Sequence, residues 1–120
     1  MTENDLLERG LHDESKQQFS AFVAEAGNGE LLGYALVYAV PFAFDLRPNL
    51  VLKELYVRET ARGVGIGHAL MATVLVFANE LGCGRLKWDV LPENTSAQAF
   101  YRSIGGVPNR GWESWIRVFA

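Results

Sequence analysis

The order of apolar patterns along this chain predicts a mixed α/β fold, in which helices pack on a mixed sheet. Three observations carry that expectation. Two apolar, aromatic-rich runs flank Gly27-Asn28-Gly29, a compact turn signal, and read as a β-hairpin. A third apolar run ends in the glycine-rich stretch Arg62-Gly-Val-Gly-Ile-Gly67, and helical spacing follows at once. Strand-like, helix-like and strand-like segments then alternate to the end, as a sheet covered by helices requires.

In chain order, Glu3 to Arg9 has the look of a short helix anchored by Leu6 and Leu7, with Gly10 as its stop. Phe19 to Ala26 and Leu31 to Phe42 are the arms of the hairpin. Ala43 to Asn49, with Pro41 and Pro48 nearby, reads as a loop into a strand from Leu50 to Arg58. Leu70, Val74, Phe77, Ala78 and Leu81 then recur on one helical stripe, which predicts a helix from Ala69 to Leu81 ended by Gly82. Arg85 to Leu91 follows as a strand and Pro92-Glu93-Asn94 as a turn. Asn94 or Thr95 caps a helix that runs to Ile104 and stops at Gly105-Gly106. Trp112 to Phe119 is expected to be the closing strand.

At 120 residues, 49% of them hydrophobic and 21% charged, the chain has the size and apolar content of one domain with a real core. With neither a bilayer-length apolar run nor a signal-like start, it is expected to be cytoplasmic and free of the membrane. The single Cys83 makes neither an internal disulfide nor a zinc cluster and reads as a small buried residue. No metal site is expected, and no Ser, His and Asp grouping stands out. A net charge of -3 argues against a general nucleic-acid binder. The charge is uneven: Met1 to Leu46 holds two basic and eight acidic residues, Arg47 to Arg102 seven basic and five acidic. The segment carrying the glycines is therefore the one suited to an anion, unless the charges are scatter among solvated side chains.

A strand that turns through glycines into a helix leaves N–H groups at the helix start, where negative charge is favoured. The plainer alternative is a turn that uses glycine only for positive φ. Two familiar phosphate loops do not fit. A dinucleotide-binding G-x-G-x-x-G starting at Gly63 would need glycine where His68 stands, and a P-loop needs Lys and then Ser or Thr after Gly67, where His68 and Ala69 follow. What remains is R-x-x-G-x-G, formed by Arg62, Gly65 and Gly67. Downstream lies Asn94-Thr-Ser-Ala97-Gln-Ala-Phe100-Tyr101-Arg-Ser-Ile-Gly105.

The two motifs, in this order with a helix and a strand between them, resemble the GNAT superfamily of acetyl-CoA-dependent N-acetyltransferases. Glu3-Asn-Asp-Leu-Leu, the strand Leu52-Lys-Glu-Leu-Tyr-Val57 and Gly111-Trp112 resemble the diamine acetyltransferase branch, so the likeness covers nearly the whole chain. It implies a mostly antiparallel central sheet flanked by helices, here without the family's usual first strand and helix. It also implies transfer of an acetyl group from acetyl-CoA to a small primary amine by direct attack. The backbone of Arg62, Gly63, Val64, Gly65, Ile66, Gly67 and His68 would hold the pyrophosphate; the His68 side chain either grazes a phosphate or is solvated. Leu55, Tyr56 and Val57 would bind the pantetheine arm through their backbone, with an N–H facing the thioester oxygen. Asn94 and Ala97 would touch the cofactor, Asn94 also serving as a helix cap.

Tyr101 matches the family tyrosine near the cofactor sulfur, which donates a proton to the departing thiolate; on pattern alone it is also a core aromatic. Glu54 is the candidate base, acting through water. Two positions depart from the diamine branch: Lys53 stands where an acid serves the amine, and Arg110 aligns loosely with a second acid. Strand alternation places Glu54 on the face opposite Lys53 unless a bulge re-aims it. Lys53 and Arg110, as residues lining the amine site, would disfavour polyamines. Lys53 also supports the alternative of a CoA-binding module without transferase activity, in regulation or assembly. A third class, an interaction domain without cofactor, requires a glycine loop filled by side chains. An edge left open by the shortened start, together with the apolar outer face around Val76, leads to the expectation of a homodimer.

Overall fold

The computed structural model describes residues 19–41 and 46–119 of the chain. The helix expected over Glu3 to Arg9 lies outside the described residues. Two compact units divide the chain, Met1–Trp88 and Asp89–Ala120.

The first unit is a four-stranded sheet with one long helix against it. Strands β1 (Ser20–Glu25) and β2 (Leu31–Val40) form the hairpin, and β3 (Asn49–Val57) pairs antiparallel with β2. A short β4 (Arg85–Lys87) adds to β3 in parallel, giving the order β1-β2-β3-β4. The hairpin turn closes through Ala26 N–H to the Glu30 carbonyl at 2.8 Å and Gly29 N–H to the Ala26 carbonyl at 2.9 Å. Gly29 has φ 86°, a left-handed conformation that glycine adopts without strain.

Helix α1 (Ile66–Glu80) buries Leu70, Met71, Val74 and Ala78. They lie over the sheet face carrying Ala35, Val37, Leu50 and Leu52, which are likewise buried. Phe22 and Phe77 meet edge to face at 5.2 Å. Full burial of side chains such as Val37, Leu50, Met71 and Val74 stabilises by about 1.5–3 kcal/mol each, so this layer is the core of the unit. Outward-facing Leu75 and Val76 are exposed, as expected for the apolar outer side of α1.

The helix starts three residues before the expected Ala69. Gly65, at φ 86°, is its N-cap, and Ala69 N–H already bonds the Gly65 carbonyl at 3.0 Å. Once the chain leaves the left-handed turn nothing delays the helix, because the N–H groups of a first turn need no intrahelical partner. At its other end Gly82, at φ 73°, closes a Schellman motif, with Cys83 N–H on the Ala78 carbonyl at 3.0 Å and Gly82 N–H on that of Asn79 at 3.1 Å.

Strand β4 is shorter than the predicted Arg85 to Leu91, since its pairing with β3 covers only Asn49, Leu50 and Val51. A strand lasts as long as its partner stays alongside, and β3 is irregular immediately beyond that point.

In the second unit, α2 (Thr95–Ser103) is capped as predicted, with the Asn94 side chain accepting from Ala97 N–H at 3.1 Å. Gly105, at φ 91°, and Gly106, whose N–H meets the Tyr101 carbonyl at 2.9 Å, end it. The closing strand expected over Trp112 to Phe119 is not formed; among the described residues this stretch joins no ladder. Trp112, Trp115, Ile116, Val118 and Phe119 are 65–85% exposed. Their spacing explains the difference: adjacent apolar pairs occupy both faces of an extended chain, so no single face is marked for burial.

Gly33 is fixed by close approach, because a Cβ there would lie 2.6 Å from the Tyr56 carbonyl oxygen. Gly33→Ala is therefore expected to destabilise by about 1–3 kcal/mol, whereas Gly27→Ala, with open space around it, should leave the melting temperature nearly unchanged. Thermal unfolding of the two variants beside the parent checks this.

Candidate functional site

The distinctive geometry of the first unit begins at Leu36. Its partner is Glu54, whereas Val37 pairs with Leu52, so Lys53 is an extra residue in β3. This is a β-bulge, and it reverses the side-chain alternation of the strand. In an unbroken strand Glu54 would share the face of Leu50 and Leu52 and enter the core beneath α1. The bulge turns it to the opposite face, where the Tyr34 hydroxyl donates to Glu54 Oε1 at 2.9 Å. The rings of Tyr34 and Tyr56, which face each other across the strands, lie 5.4 Å apart. Burial first, then the hydrogen bond and the charge of Glu54, push the Tyr34 phenol above its ordinary pKa. The re-aiming of Glu54 was legible only as a conditional, and Tyr34 was missed; its signal lies in the β2–β3 register, which the long connection between those strands hides.

Beyond the bulge β3 continues without β4. The backbone directions there follow from one bond: Arg58 N–H reaches the Leu32 carbonyl at 2.8 Å. Hydrogen-bonded and non-bonded pairs alternate in an antiparallel ladder, so Tyr56 and Glu54 direct their backbone groups at β2. Leu55 and Val57 direct theirs to the other edge, where among the described residues no strand is paired past Val51. The Val57 carbonyl accepts from Arg62 Nε at 3.0 Å, which laces the strand end to the glycine loop.

That loop follows a turn of 3-10 helix, Glu59–Ala61, anchored by the buried Ala61. Gly63 and Gly65 both have positive φ, 84° and 86°, and a Cβ built on either meets no atom within 4 Å. The turn thus requires glycine, and the space around it is also open. Ile66, Gly67 and His68 occupy the first turn of α1, ahead of the first intrahelical bond from Ala69. Their N–H groups precede the helix ladder and lie at its positive end, with Arg62 before them. His68 is exposed.

The first unit therefore places Glu54, Leu55 to Val57 and Arg62 to His68 along one strand, turn and helix start. Lys53 is the extra residue of the bulge and is exposed. Asn94, Ala97, Tyr101 and Arg110 belong to the second unit. There Ala97 and Tyr101 stand four residues apart on α2 and so share one of its sides. The cap occupies Asn94 Oδ1 and leaves its amide N–H groups for other use. Half-buried Tyr101 has its phenol pKa raised by desolvation, which keeps the proton on oxygen at neutral pH. Arg110 is exposed. Cys83 is partly buried, its thiol pKa raised by that burial. Among the described residues there is no group of three or more potential metal ligands, and no helix is long and apolar enough to cross a membrane.

A mostly antiparallel sheet whose third strand carries a bulge and leads into a glycine turn and a helix start is the frame of the first unit. Residues 2–105 match the acetyltransferase (GNAT) family, and the chain belongs to that family. Thialysine N-epsilon-acetyltransferase of Sus scrofa is 31% identical over 88 residues, 71% of this chain and 51% of that protein. This agrees with the sequence resemblance to the diamine branch. Aminoglycoside N(6')-acetyltransferase type 1 of Stenotrophomonas maltophilia is 30% identical over 105 residues, 85% of this chain and 69% of that one. The chain spans about half the length of the thialysine acetyltransferases of Sus scrofa and Bos taurus. In fold, a probable acetyltransferase superposes with TM-score 0.82 at 23% identity, covering 97% of this chain and 76% of the other. An aminoglycoside N-acetyltransferase in complex with CoA gives 0.78 at 22% identity, covering 98% and 88%.

Gly67 provides a test that separates binding from stability. It lies inside α1 and is absent from the positive-φ glycines. Gly67→Ala should therefore gain helix stability, by up to about 1 kcal/mol. If the first turn receives a phosphate, the added methyl weakens acetyl-CoA binding at the same time. Denaturant unfolding and titration calorimetry on one preparation should move in opposite directions.

Proposed function

We propose that this chain is an acetyl-CoA-dependent N-acetyltransferase that acetylates a small primary amine by direct attack. One observation carries the reading: a strand edge at Leu55 and Val57 that no strand among the described residues pairs leads, through a turn that Arg62 ties back to Val57, into glycines with open space above them. Pantetheine is an extended chain with amides, suited to pairing with a strand edge. A pyrophosphate is suited to a helix start. The residues present fit acetyl-CoA, with Leu55 and Val57 holding the arm and the backbone of Gly63 to His68 holding the phosphates.

The cofactor supplies an acetyl group activated as a thioester. In this reading the Leu55 or Val57 N–H holds the acyl oxygen, where negative charge develops. Glu54 takes the proton that the amine nitrogen loses, directly or through water. Tyr101 Oη would give its proton to the thiolate that departs with the C–S electron pair as the N–C bond forms. Solvent then resets both side chains. The charges near the amine give the substrate class: one carboxylate beside Lys53 suits an amine without a second positive charge.

Acetyl-CoA binding followed by thiol release across an amine panel tests the proposal. Binding without thiol release would favour the regulatory or assembly module, and no binding would remove both readings. Tyr101→Phe should keep acetyl-CoA affinity and lower the chemistry-limited turnover by about 10²-fold or more. Because burial raises the Tyr101 pKa, its proton is retained through neutral pH, and the turnover should fall only above the ordinary phenol value of about 10. Spermidine should be a poorer substrate than a monoamine, with Lys53→Gln narrowing the gap; steady-state kcat/KM for the two amines checks the order.

A further inference from the structure

We infer that Tyr34 is a positioning residue for Glu54, holding its carboxylate on the sheet face opposite α1, one residue before Leu55, so that it faces the attacking amine. The inference rests on the acetyltransferase reading and adds to it a residue on a different strand. Three observations meet here. The bulge brings Glu54 out of the core face and onto the face of Tyr34. There the phenol donates to Oε1 at 2.9 Å, and the Tyr34 ring lies against that of Tyr56 on the neighbouring strand.

An exposed glutamate has three side-chain torsions and samples many orientations, whereas a tyrosine has two and is steadied by ring packing. The hydrogen bond transfers that restraint to the carboxylate. It also uses only part of the acceptor capacity, since an ionised carboxylate has about four lone-pair sites and Tyr34 takes one at Oε1. Oε2 remains to accept from the amine or a bridging water. The next residue, Leu55, directs its N–H to the open edge, so base and acyl-oxygen donor are consecutive residues on one strand. Lys53, the extra residue of the bulge, stands immediately before them, and Tyr34 fixes which partner the carboxylate faces. Tyr34 itself gains and loses no proton in the reaction.

The test uses the full chain with acetyl-CoA and its best primary amine, in the parent, Tyr34→Phe, Glu54→Gln and the double variant. Tyr34→Phe keeps the ring and removes the donor, so kcat/KM for the amine should fall by about 10-fold to 10²-fold while the acetyl-CoA KM stays unchanged. The double variant should be no worse than Glu54→Gln alone, because Tyr34 acts only through that carboxylate. Losses that multiply, or an equal loss in the acetyl-CoA KM, would overturn the positioning role. A second readout needs no turnover: in protein labelled at tyrosine Cζ, the resonance missing from Tyr34→Phe should titrate above the ordinary tyrosine range and move down in Glu54→Gln. If that titration is unchanged in Glu54→Gln, the pair does not form in solution and the inference fails by itself. A parent that releases no thiol with any amine overturns the acetyltransferase reading and the positioning role together, and the resonance still reports whether the pair exists.

Discussion

Opposite Leu36, β3 presents two residues where a regular strand would present one, and most of the site follows from that mismatch. Leu50 and Leu52 before the bulge must face α1 to complete the core. Without the extra residue, the same alternation would carry Glu54 into that core, where no charged group is buried among the described residues. Burying an ionised carboxylate in this way is costly. The inserted Lys53 resolves the conflict by reversing the phase, so one strand serves the core with its first half and solvent chemistry with its second.

The same irregularity limits the parallel partner. β4 accompanies β3 only through Val51, and the backbone of Leu55 and Val57 is left on an edge that no described strand covers. An unpaired edge in the middle of a sheet is ordinarily a liability. Here it leads directly to the glycine turn, with the Arg62 side chain bonded to the Val57 carbonyl. Edge, turn and helix start thus follow one another directly along the chain.

The second unit shows a different economy, in which local capping suffices. Asn94 closes the N-terminus of α2 and Gly105 with Gly106 closes its end, so this short helix needs little from elsewhere to define its limits. The segment after it has no such devices. Its tryptophans and neighbouring aliphatic residues are apolar enough to seek burial, but their pattern names no face and no partner.

Sequence by itself determined the hairpin at Gly27-Asn28-Gly29, the core stripe of α1, the Asn94 cap and the two motifs that place the chain in its family. Each depends on residues close together in the chain: turn glycines, a helical repeat, a cap and its N–H three positions on. Only the tertiary structure decided which face Glu54 takes, that Tyr34 meets it, where β4 stops and that the last segment joins no ladder among the described residues. Those outcomes depend on register between strands joined by long connections, and a one-residue shift in register exchanges the two faces of a strand. Composition does not record such a shift. It is set where the packing of Leu50 and Leu52 beneath α1 and the pairing of Tyr34 with Tyr56 are satisfied at once.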